Sequence, residues 1–170
     1  MKTNIIYIIG LMGSGKTSIG KLLAKKTHKK FFDIDQIIIG NEKMSISEIF
    51  SKKSEKYFRD IEHSALDKIK DNQNCVISTG GGIILRQDNI KIMKETGYIV
   101  FLDVNTKVQL QRVRNKKNRP LINNNNIEES LQKLRDQRFK IYEDIANIII
   151  DSSKNEKMNI VSELIKKLQL

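Results

Sequence analysis

The sequence has little that would support a disulfide-bonded, metal-binding or membrane-spanning protein. Its 170 residues include a single cysteine, Cys75, so no disulfide can form within the chain. The two histidines, His28 and His63, have no metal-ligand spacing to each other or to the cysteine, and we expect both to be ordinary surface or boundary residues. No apolar run is long enough to span a bilayer. These absences favour one domain in a reducing compartment.

The apolar stretch near the N-terminus, residues 5–13, does not have the form of a signal peptide. It is short and rich in glycine, one lysine precedes it, and Lys16 stands where a cleavage site of small residues would be needed. We therefore predict that this stretch begins with the first strand of a cytoplasmic protein.

Basic residues outnumber acidic ones, with 31 Lys and Arg against 20 Asp and Glu and a net charge of +11. Such a balance suits nucleic acid or a polyanionic small substrate. The lysines are spread along the chain, and only 6% of the residues are aromatic. A solvated basic surface is the simpler interpretation, so we predict no nucleic-acid and no membrane partner. A nucleotide-dependent module that binds nucleic acid stays open as an alternative.

Short apolar runs alternate with stretches of helical periodicity. The runs are brief and uninterrupted, as expected of strands buried on both faces, at 5–9, 31–32, 75–78, 98–102 and 147–150. Helices are predicted near 16–27, 46–71, 88–96, 106–114, 128–144 and 157–169, with Ser45 or Ser47 and Thr106 as N-caps. Cys75 opens its run and is predicted to be a buried strand thiol. The alternation predicts a parallel α/β sheet covered on both sides.

Two intervals interrupt this alternation. The long interval between the runs at 31–32 and 75–78 is predicted to hold two helices, with a substrate-binding helical insertion over about 34–62. The second interval, 115–126, is polar, holds the only proline and ends in a run of asparagines. We predict a lid loop over about 113–126, although composition also fits a flexible connector without a role.

The most informative motif lies at residues 10–17, which read Gly-Leu-Met-Gly-Ser-Gly-Lys-Thr and match G-x-x-x-x-G-K-[ST] in full. The motif follows an apolar run and opens a helical pattern, as its mechanism requires. Its glycines let backbone N–H groups converge on phosphate oxygens at a helix N-terminus. Lys16 is predicted to reach the β- and γ-phosphates of ATP, and the Thr17 hydroxyl to bind Mg²⁺. The motif does not say what receives the phosphate.

Two carboxylates and an arginine are candidates for the acceptor side. Asp33 and Asp35 stand at the end of the second run, where ligands bind in open α/β sheets. An aspartate there could instead cap the next helix. Arg59 lies beside aromatic residues and suits a planar carboxylate, but it could equally form a surface ion pair with Asp60 or Glu62.

Other candidates are less specific one by one. The three glycines 80–82 follow the run at 75–78 after Thr79 and permit close approach of the backbone to a ligand. Arg119 precedes Pro120 in the predicted lid, and Arg138 lies in a charged helical stretch. Each arginine alone would be interpreted as a surface residue.

Taken in order, these motifs resemble the shikimate kinase family over essentially the whole sequence. The matching segments are the loop at 10–17, Phe-Asp-x-Asp at 32–35, Phe-Arg-x-x-Glu at 58–62, Gly-Gly-Gly at 80–82, Arg-Pro-Leu at 119–121 and Arg-x-x-x-Tyr at 138–142. The resemblance implies one P-loop kinase domain over 1–170, with α/β/α layers and a five-stranded parallel sheet of order 2-3-1-4-5. It also implies a monomer that phosphorylates the 3-hydroxyl of shikimate with ATP, a step toward chorismate and aromatic amino acids.

The resemblance further implies a role for each matching residue. It assigns catalysis to Asp35, Lys16 and Arg119. It assigns shikimate binding to Asp35, Arg59, Gly80, Gly81, Gly82 and Arg138, with the arginines on the carboxylate. It assigns ATP binding to Gly13, Ser14, Gly15, Lys16, Thr17, Ser18, Arg112, Arg119 and Ser153, with Arg112 stacked on adenine. It assigns Mg²⁺ to Thr17 directly, and to Asp33 and Ser78 through water.

One position departs from the family pattern, and one alternative of the same class stays open. Ile39 stands where the family usually has a glutamate, which puts a supporting contact of the substrate subdomain in doubt. Ser78 stands where many P-loop ATPases have an acidic residue, which argues against a motor-type ATPase. Another small-molecule kinase, for gluconate or a nucleoside monophosphate, would keep the phosphate loop and the lid but would need different acceptor contacts.

Overall fold

A computed structural model describes residues 4–114, 126–154 and 156–170 of the chain. The segment predicted to be a lid falls outside the described residues apart from positions 113, 114 and 126, and Arg119 lies outside them altogether.

The strands form one parallel sheet. The strands are β1 (Ile5–Ile9), β2 (Lys30–Asp33), β3 (Cys75–Ser78), β4 (Gly97–Asp103) and β5 (Ile148–Asp151). Their order across the sheet is β2-β3-β1-β4-β5, and every neighbouring pair is parallel. The predicted five-stranded sheet and its order are confirmed.

Helices connect the strands and cover both faces of the sheet. They are α1 (Lys16–Lys26), α2 (Ile34–Glu42), α3 (Ile46–Lys52), α4 (Glu55–Ile69), α5 (Gln87–Thr96), α6 (Thr106–Arg114), α7 (Ile127–Ile145) and α8 (Lys157–Leu168), with a 3₁₀ turn at Ile83–Leu85. One apolar cluster joins the sheet to α2, α3, α4, α5 and α7, and a second joins it to α1 and α8. The central strand β1 contributes to both clusters, because alternate residues point to opposite faces.

The interval between β2 and β3 holds three helices, so the prediction of two was wrong. Helix α2 begins directly after β2, because the Asp33 carboxylate accepts a hydrogen bond from Gln36 N at 3.2 Å. The sequence did not predict α2, because its run of β-branched isoleucines has only a weak helical periodicity. The helix predicted over 46–71 is interrupted at 53–54, where the Ser54 side chain accepts from Tyr57 N and starts α4.

The predicted N-caps have different outcomes. Ser45 caps α3 through a capping box: Glu48 N donates to Ser45 Oγ at 3.2 Å and Ser45 N donates to the Glu48 carboxylate at 2.9 Å. Thr106 is not a cap, because it is already the first residue of α6. Asn105 takes that role, with its Oδ1 accepting from Val108 N at 2.9 Å. Asparagine and threonine both favour this position, and the sequence did not distinguish them.

The structure bears on two further predictions, which concern the cysteine Cys75 and membrane-spanning segments. Cys75 is fully buried in β3, as predicted, and burial raises the pKa of its thiol to about 11. Among the described residues, no helix combines the length and the apolar composition that crossing a bilayer requires.

Replacing Ser45 by alanine should lower the free energy of unfolding by about 1 kcal/mol, because it removes the side-chain half of the capping box. Urea denaturation followed by circular dichroism measures this difference. Ser51→Ala is the matched control, since Ser51 lies inside α3 and its hydroxyl only bonds the Glu48 carbonyl. Equal losses in the two variants would contradict a specific capping role.

Candidate active site

The loop after β1 is a cradle of backbone N–H groups that requires glycine. Gly10 has a φ of 144°, and a Cβ on it would lie 2.6 Å from the Leu102 carbonyl oxygen. Gly15 precedes α1 with a left-handed φ of 95°. Other residues would be strained in these conformations. The loop therefore leads into the N-terminus of α1, and the N-terminal end of a helix, with its backbone N–H groups and positive dipole end, favours an anion.

The predicted phosphate-binding residues line one large cavity. Its volume is about 570 Å³, within the range of about 300–1,000 Å³ typical of small-molecule sites. The lining residues are Met12, Gly13, Ser14, Gly15, Lys16, Thr17, Ser18, Ile19, Lys21, Asp35, Thr79, Arg112, Ser152, Lys157 and Ile160. Lys16 folds back over the loop, and its Nζ donates to the carbonyls of Gly10 and Leu11 at 2.8 and 2.9 Å.

Three side-chain oxygens meet where β2 and β3 end beside α1. Thr17 Oγ1 donates to Asp33 Oδ2 at 2.7 Å and lies 3.5 Å from Ser78 Oγ. The other Asp33 oxygen caps α2, so the capping interpretation of Asp33 is confirmed as well. Oxygen ligands of this kind suit Mg²⁺, which keeps several waters and takes further oxygens from substrate phosphates. The described residues contain no cluster of three or more His, Cys, Asp or Glu that could hold a metal by itself.

Arg112 forms the far wall of this cavity. Its guanidinium donates to Gly13 O at 3.2 Å and to Ser152 O at 2.8 Å, which ties α6 to the phosphate loop. Ser153, predicted to bind ATP, does not line the cavity as described; its Oγ accepts from Asn105 N at 2.8 Å. Its neighbour Ser152 lines the cavity instead. The lining residues Lys157 and Ile160 were not predicted, because they come from α8 and carry no motif.

A second, smaller cavity of about 100 Å³ lies beside the first. Its lining residues are Met12, Asp35, Phe50, Phe58, Arg59, Glu62, Gly80, Gly81, Gly82 and Arg138. They include all the residues predicted to bind the acceptor, brought together from α2, α4, α7 and the loop after β3.

Arg59 is held on two sides by carboxylates. Its Nη1 lies 2.8 Å from Glu62 Oε2, and its Nη2 lies 3.0 Å from Glu55 Oε1. Asp60, the other partner that the sequence allowed, pairs with Arg86 instead. The Arg59–Glu62 pair is not a surface pair, since the side chains are 16% and 1% exposed. Arg59 is therefore a pre-positioned cation in the wall of the small cavity.

Glu62 belongs to the family motif, and the sequence allowed it only as a surface ion-pair partner of Arg59. Burial raises the pKa of Glu62 to about 7, although the neighbouring Arg59 favours the carboxylate form. Its Oε1 has no hydrogen-bond partner in the part of the chain that the structure describes. Its spacing of three residues from Arg59 on a helix favours their contact, but it does not indicate that the pair is buried.

Two side chains of α7 contact the loop formed by glycines 80–82, which we call the glycine loop. Arg138 donates to the Gly81 carbonyl at 3.2 Å, and the Tyr142 hydroxyl donates to the same oxygen. Arg138 is 5% exposed, so the surface interpretation of this arginine was wrong. Burial raises the pKa of Tyr142 well above its usual value, so the phenol stays a donor. Tyr142 also stacks on Phe101, with ring centroids 4.9 Å apart.

The two cavities meet at Met12 and Asp35, which line both. Asp35 lies in the first turn of α2, and a Cβ on Gly80 would be 3.1 Å from its Oδ1. Ile39, one turn further along α2, is half-buried and lines neither cavity as described. The Asp35 carboxylate thus lies between the large cavity, which the loop at 10–17 lines, and the small cavity, which Arg59 and Arg138 line.

Comparison with known proteins identifies the family. The family model described as Shikimate kinase matches residues 12–169. The curated shikimate kinases of Sulfurihydrogenibium sp. and Nitrosomonas europaea are 39% and 40% identical over 96% of this chain, and the match covers 97% and 78% of their own lengths. The solved structure of shikimate kinase from Acinetobacter baumannii in complex with shikimate matches with a TM-score of 0.94 at 31% identity, covering 98% of this chain and 93% of that one. The chain belongs to the shikimate kinase family.

The resemblance, the fold and the activity that the sequence predicted are therefore confirmed. The protein is an enzyme that uses ATP as co-substrate to phosphorylate shikimate, a step of the shikimate pathway. Other P-loop kinases are much more distant: deoxyadenosine kinase from M. mycoides with bound dATP has a TM-score of 0.65 at 15% identity. That likeness shows the fold alone.

Gly82→Ala should weaken shikimate binding, because the new methyl group would collide with the Arg59 guanidinium and displace it from the cavity wall. A lost hydrogen bond to a charged group costs about 1.5–3 kcal/mol, so the KM for shikimate should rise roughly tenfold or more, with little change in the KM for ATP. Steady-state kinetics with each substrate varied in turn measures both constants.

Gly40→Ala is the matched control for this variant. A Cβ on Gly40 would meet nothing within 4 Å, so its KM values should stay at those of the unmodified enzyme. An unchanged KM for shikimate in Gly82→Ala would show that Arg59 is not needed where the structure holds it.

Proposed function

We propose that the enzyme transfers the γ-phosphoryl group of ATP from the large cavity to the 3-hydroxyl of shikimate in the small cavity, with Asp35 between them. The observation that carries this proposal is that Asp35 is the carboxylate shared by the two linings. Phosphoryl transfer needs its two substrates in line and in contact, and the junction of the cavities offers that place.

The acceptor side suits a small, hydroxylated carboxylate. Arg59 and Arg138 would hold the carboxylate through charge-assisted hydrogen bonds. The Nε atoms of both arginines are buried without a hydrogen-bond partner among the described residues. The glycines 80–82 leave room for the ring to approach the backbone, because a side chain on Gly80 or Gly82 would occupy space held by Glu62 or Arg59. The other ring hydroxyls would face Asp35 and this loop.

The donor side suits the triphosphate of ATP. The backbone of residues 13–18 would bind the phosphates, and Lys16 would leave the loop carbonyls to contact the β- and γ-phosphates. Thr17 would bind Mg²⁺ directly, with Asp33 and Ser78 acting through water. Bound there, Mg²⁺ would supply positive charge that neutralises the phosphates. Arg112 would stack on the adenine, and Ser153 would lie on the adenine side.

Catalysis would rest on positioning and charge neutralisation, because the transition state of phosphoryl transfer is loose. The shikimate 3-oxygen forms a bond to the γ-phosphorus as the bond from that phosphorus to the ADP oxygen breaks. Asp35 accepts a hydrogen bond from the 3-hydroxyl, orients it, and takes its proton late in the transfer. Lys16 stabilises charge on the moving group, and Arg119, which lies outside the described residues, is proposed to do the same.

The proposal extends to the state and place of the enzyme. It acts as a monomer, because the described residues of one chain supply the walls of both cavities. It acts in the cytoplasm, in agreement with its single cysteine. It has no nucleic-acid or membrane partner, because its lysines are spread along the chain rather than gathered in one block. Sedimentation of the enzyme with and without substrates tests the first of these statements.

Asp35→Asn tests the central role. The amide keeps the size of the side chain but cannot accept the proton, so turnover should fall by about 10²–10⁴-fold while the KM for ATP changes little. A coupled assay of ADP release measures turnover, with shikimate alone and MgATP alone as blanks. Asp67→Asn is the control and should keep activity, because Asp67 is an exposed residue of α4 that forms a surface ion pair with Lys70. Turnover near that of the unmodified enzyme at saturating shikimate would refute the role of Asp35.

The raised pKa of Glu62 predicts a proton linkage. A substrate carboxylate placed beside Arg59 brings negative charge near Glu62, whose pKa of about 7 should then rise further. The complex would hold more protons than the free enzyme, so binding near pH 7 should take up a fraction of a proton. The affinity for shikimate should fall as the pH rises through about 7.

Isothermal titration of shikimate in buffers of different ionisation enthalpy measures this uptake. Glu62→Gln has no titrating group at this position, so its proton uptake should disappear. The same uptake in both proteins would assign the linkage to another residue and contradict the prediction.

A further inference from the structure

A pair of polar side chains lies behind the glycine loop, outside the linings of both cavities. Asn89, on α5, is 1% exposed. Its Nδ2 donates to the carbonyl oxygen of Ile83 at 3.0 Å, and its Oδ1 lies 2.7 Å from Nδ1 of His63 on α4. These two hydrogen bonds connect α4, α5 and the 3₁₀ turn that follows Gly82.

The bonds fix which nitrogen of His63 carries hydrogen. A carbonyl oxygen only accepts, so the Asn89 amide nitrogen must face Ile83 and the amide oxygen must face His63. The His63 Nδ1 must then donate. Both the neutral Nδ1–H form and the protonated ring meet this requirement, so the bond survives a change in the charge of His63.

The connected segments form two walls of the small cavity, in which shikimate is proposed to bind and which we call the acceptor cavity. Ile83 directly follows Gly82, and the turn is closed by Ile83 N bonding to Gly80 O at 3.3 Å. Gly82 in turn lies against the Arg59 guanidinium, since a Cβ there would overlap it. His63 is one helical turn beyond Arg59 on α4. The Asn89–His63 pair therefore spans the glycine loop and the helix that carries the acceptor arginine.

We propose that Asn89 and His63 are positioning residues that hold the glycine loop and α4 at a fixed separation, and thereby set the affinity of the enzyme for shikimate. This inference rests on the proposed placement of shikimate beside Arg59. The pair is better suited to the task than the other polar link between these segments, Arg86 with Asp60. That ion pair is 35% and 58% exposed, and exposed pairs contribute little.

Two substitutions of His63 separate its donor from its bulk. Asparagine carries its amide nitrogen at nearly the same distance from the backbone as Nδ1, so His63→Asn keeps a donor, whereas His63→Leu has none. We expect His63→Leu to raise the KM for shikimate about threefold to tenfold, which corresponds to the net contribution of one ordinary hydrogen bond, while the KM for ATP stays within about twofold. His63→Asn should restore most of the affinity. Equal KM values for shikimate in the two variants would overturn the inference.

Asn89→Asp tests the second bond with a side chain of the same shape. A carboxylate cannot donate to the Ile83 carbonyl, so the KM for shikimate should rise at least as much as in His63→Leu. Thermal unfolding of each variant is measured in parallel. A lower melting temperature together with an unchanged KM for shikimate would assign the pair to stability alone and overturn the inference. His63 is half-exposed, so its variants keep the test decisive if Asn89→Asp fails to fold.

Arg59→Lys distinguishes this inference from the proposed function. If Arg59→Lys raises the KM for shikimate and His63→Leu does not, the placement of shikimate stands and the positioning role is wrong. If Arg59→Lys leaves that KM unchanged, the placement itself fails, and the positioning role fails with it.

Discussion

The active site depends on the register of three neighbouring parallel strands. Asp33 of β2 is paired with Ser78 of β3, and Ser78 is paired with Ile8 of β1, two residues before the phosphate loop begins. Because parallel strands end at the same edge of a sheet, this register places Thr17, Asp33 and Ser78 within hydrogen-bond reach. A slip of one residue would turn the Asp33 side chain to the other face and remove this meeting point.

The acceptor cavity places charge where stability alone would not. Burying Glu62 beside Arg59 takes both groups out of water, and such pairs are often no more stable than apolar residues of similar size. The unpartnered Glu62 oxygen adds to this cost. The arrangement makes sense for binding, because an arginine already fixed by the carboxylates of Glu55 and Glu62 loses little freedom when a substrate carboxylate arrives. The burial of Glu62 beside Arg59 thus lowers the stability of the fold but keeps Arg59 pre-organised for binding.

The parts of the site that could be predicted from sequence are those whose geometry is local. The loop at 10–17 carries its whole mechanism within eight residues, and Ser45 with Glu48 carries a capping box within four. Arg138 and Arg59 are different, because their burial depends on helices distant in the sequence. Taken by itself, Arg138 was predicted to be a surface residue. Only the order of motifs along the chain indicated a role in binding the shikimate carboxylate. Helix α2 was missed because its run of β-branched isoleucines has a weak helical periodicity. Capping by Asp33 and its contact with Thr17 were weighed as alternatives, whereas the two Asp33 oxygens face different partners.

The contrast between the two cavities explains which features vary within this fold. The loop at 10–17, which lines the large cavity, depends on backbone groups and glycine conformations that P-loop kinases share whatever they phosphorylate. The small cavity depends on side chains from several helices: Arg138 and Tyr142 of α7 bond the Gly81 carbonyl, and Arg59 of α4 is held by Glu62 and Glu55. Deoxyadenosine kinase shares the fold with this chain at 15% identity, so the fold does not depend on most of the side chains. Specificity for the acceptor therefore has to come from the relative placement of helices, and a buried polar contact such as that of Asn89 with Ile83 fixes such placement more narrowly than apolar packing does.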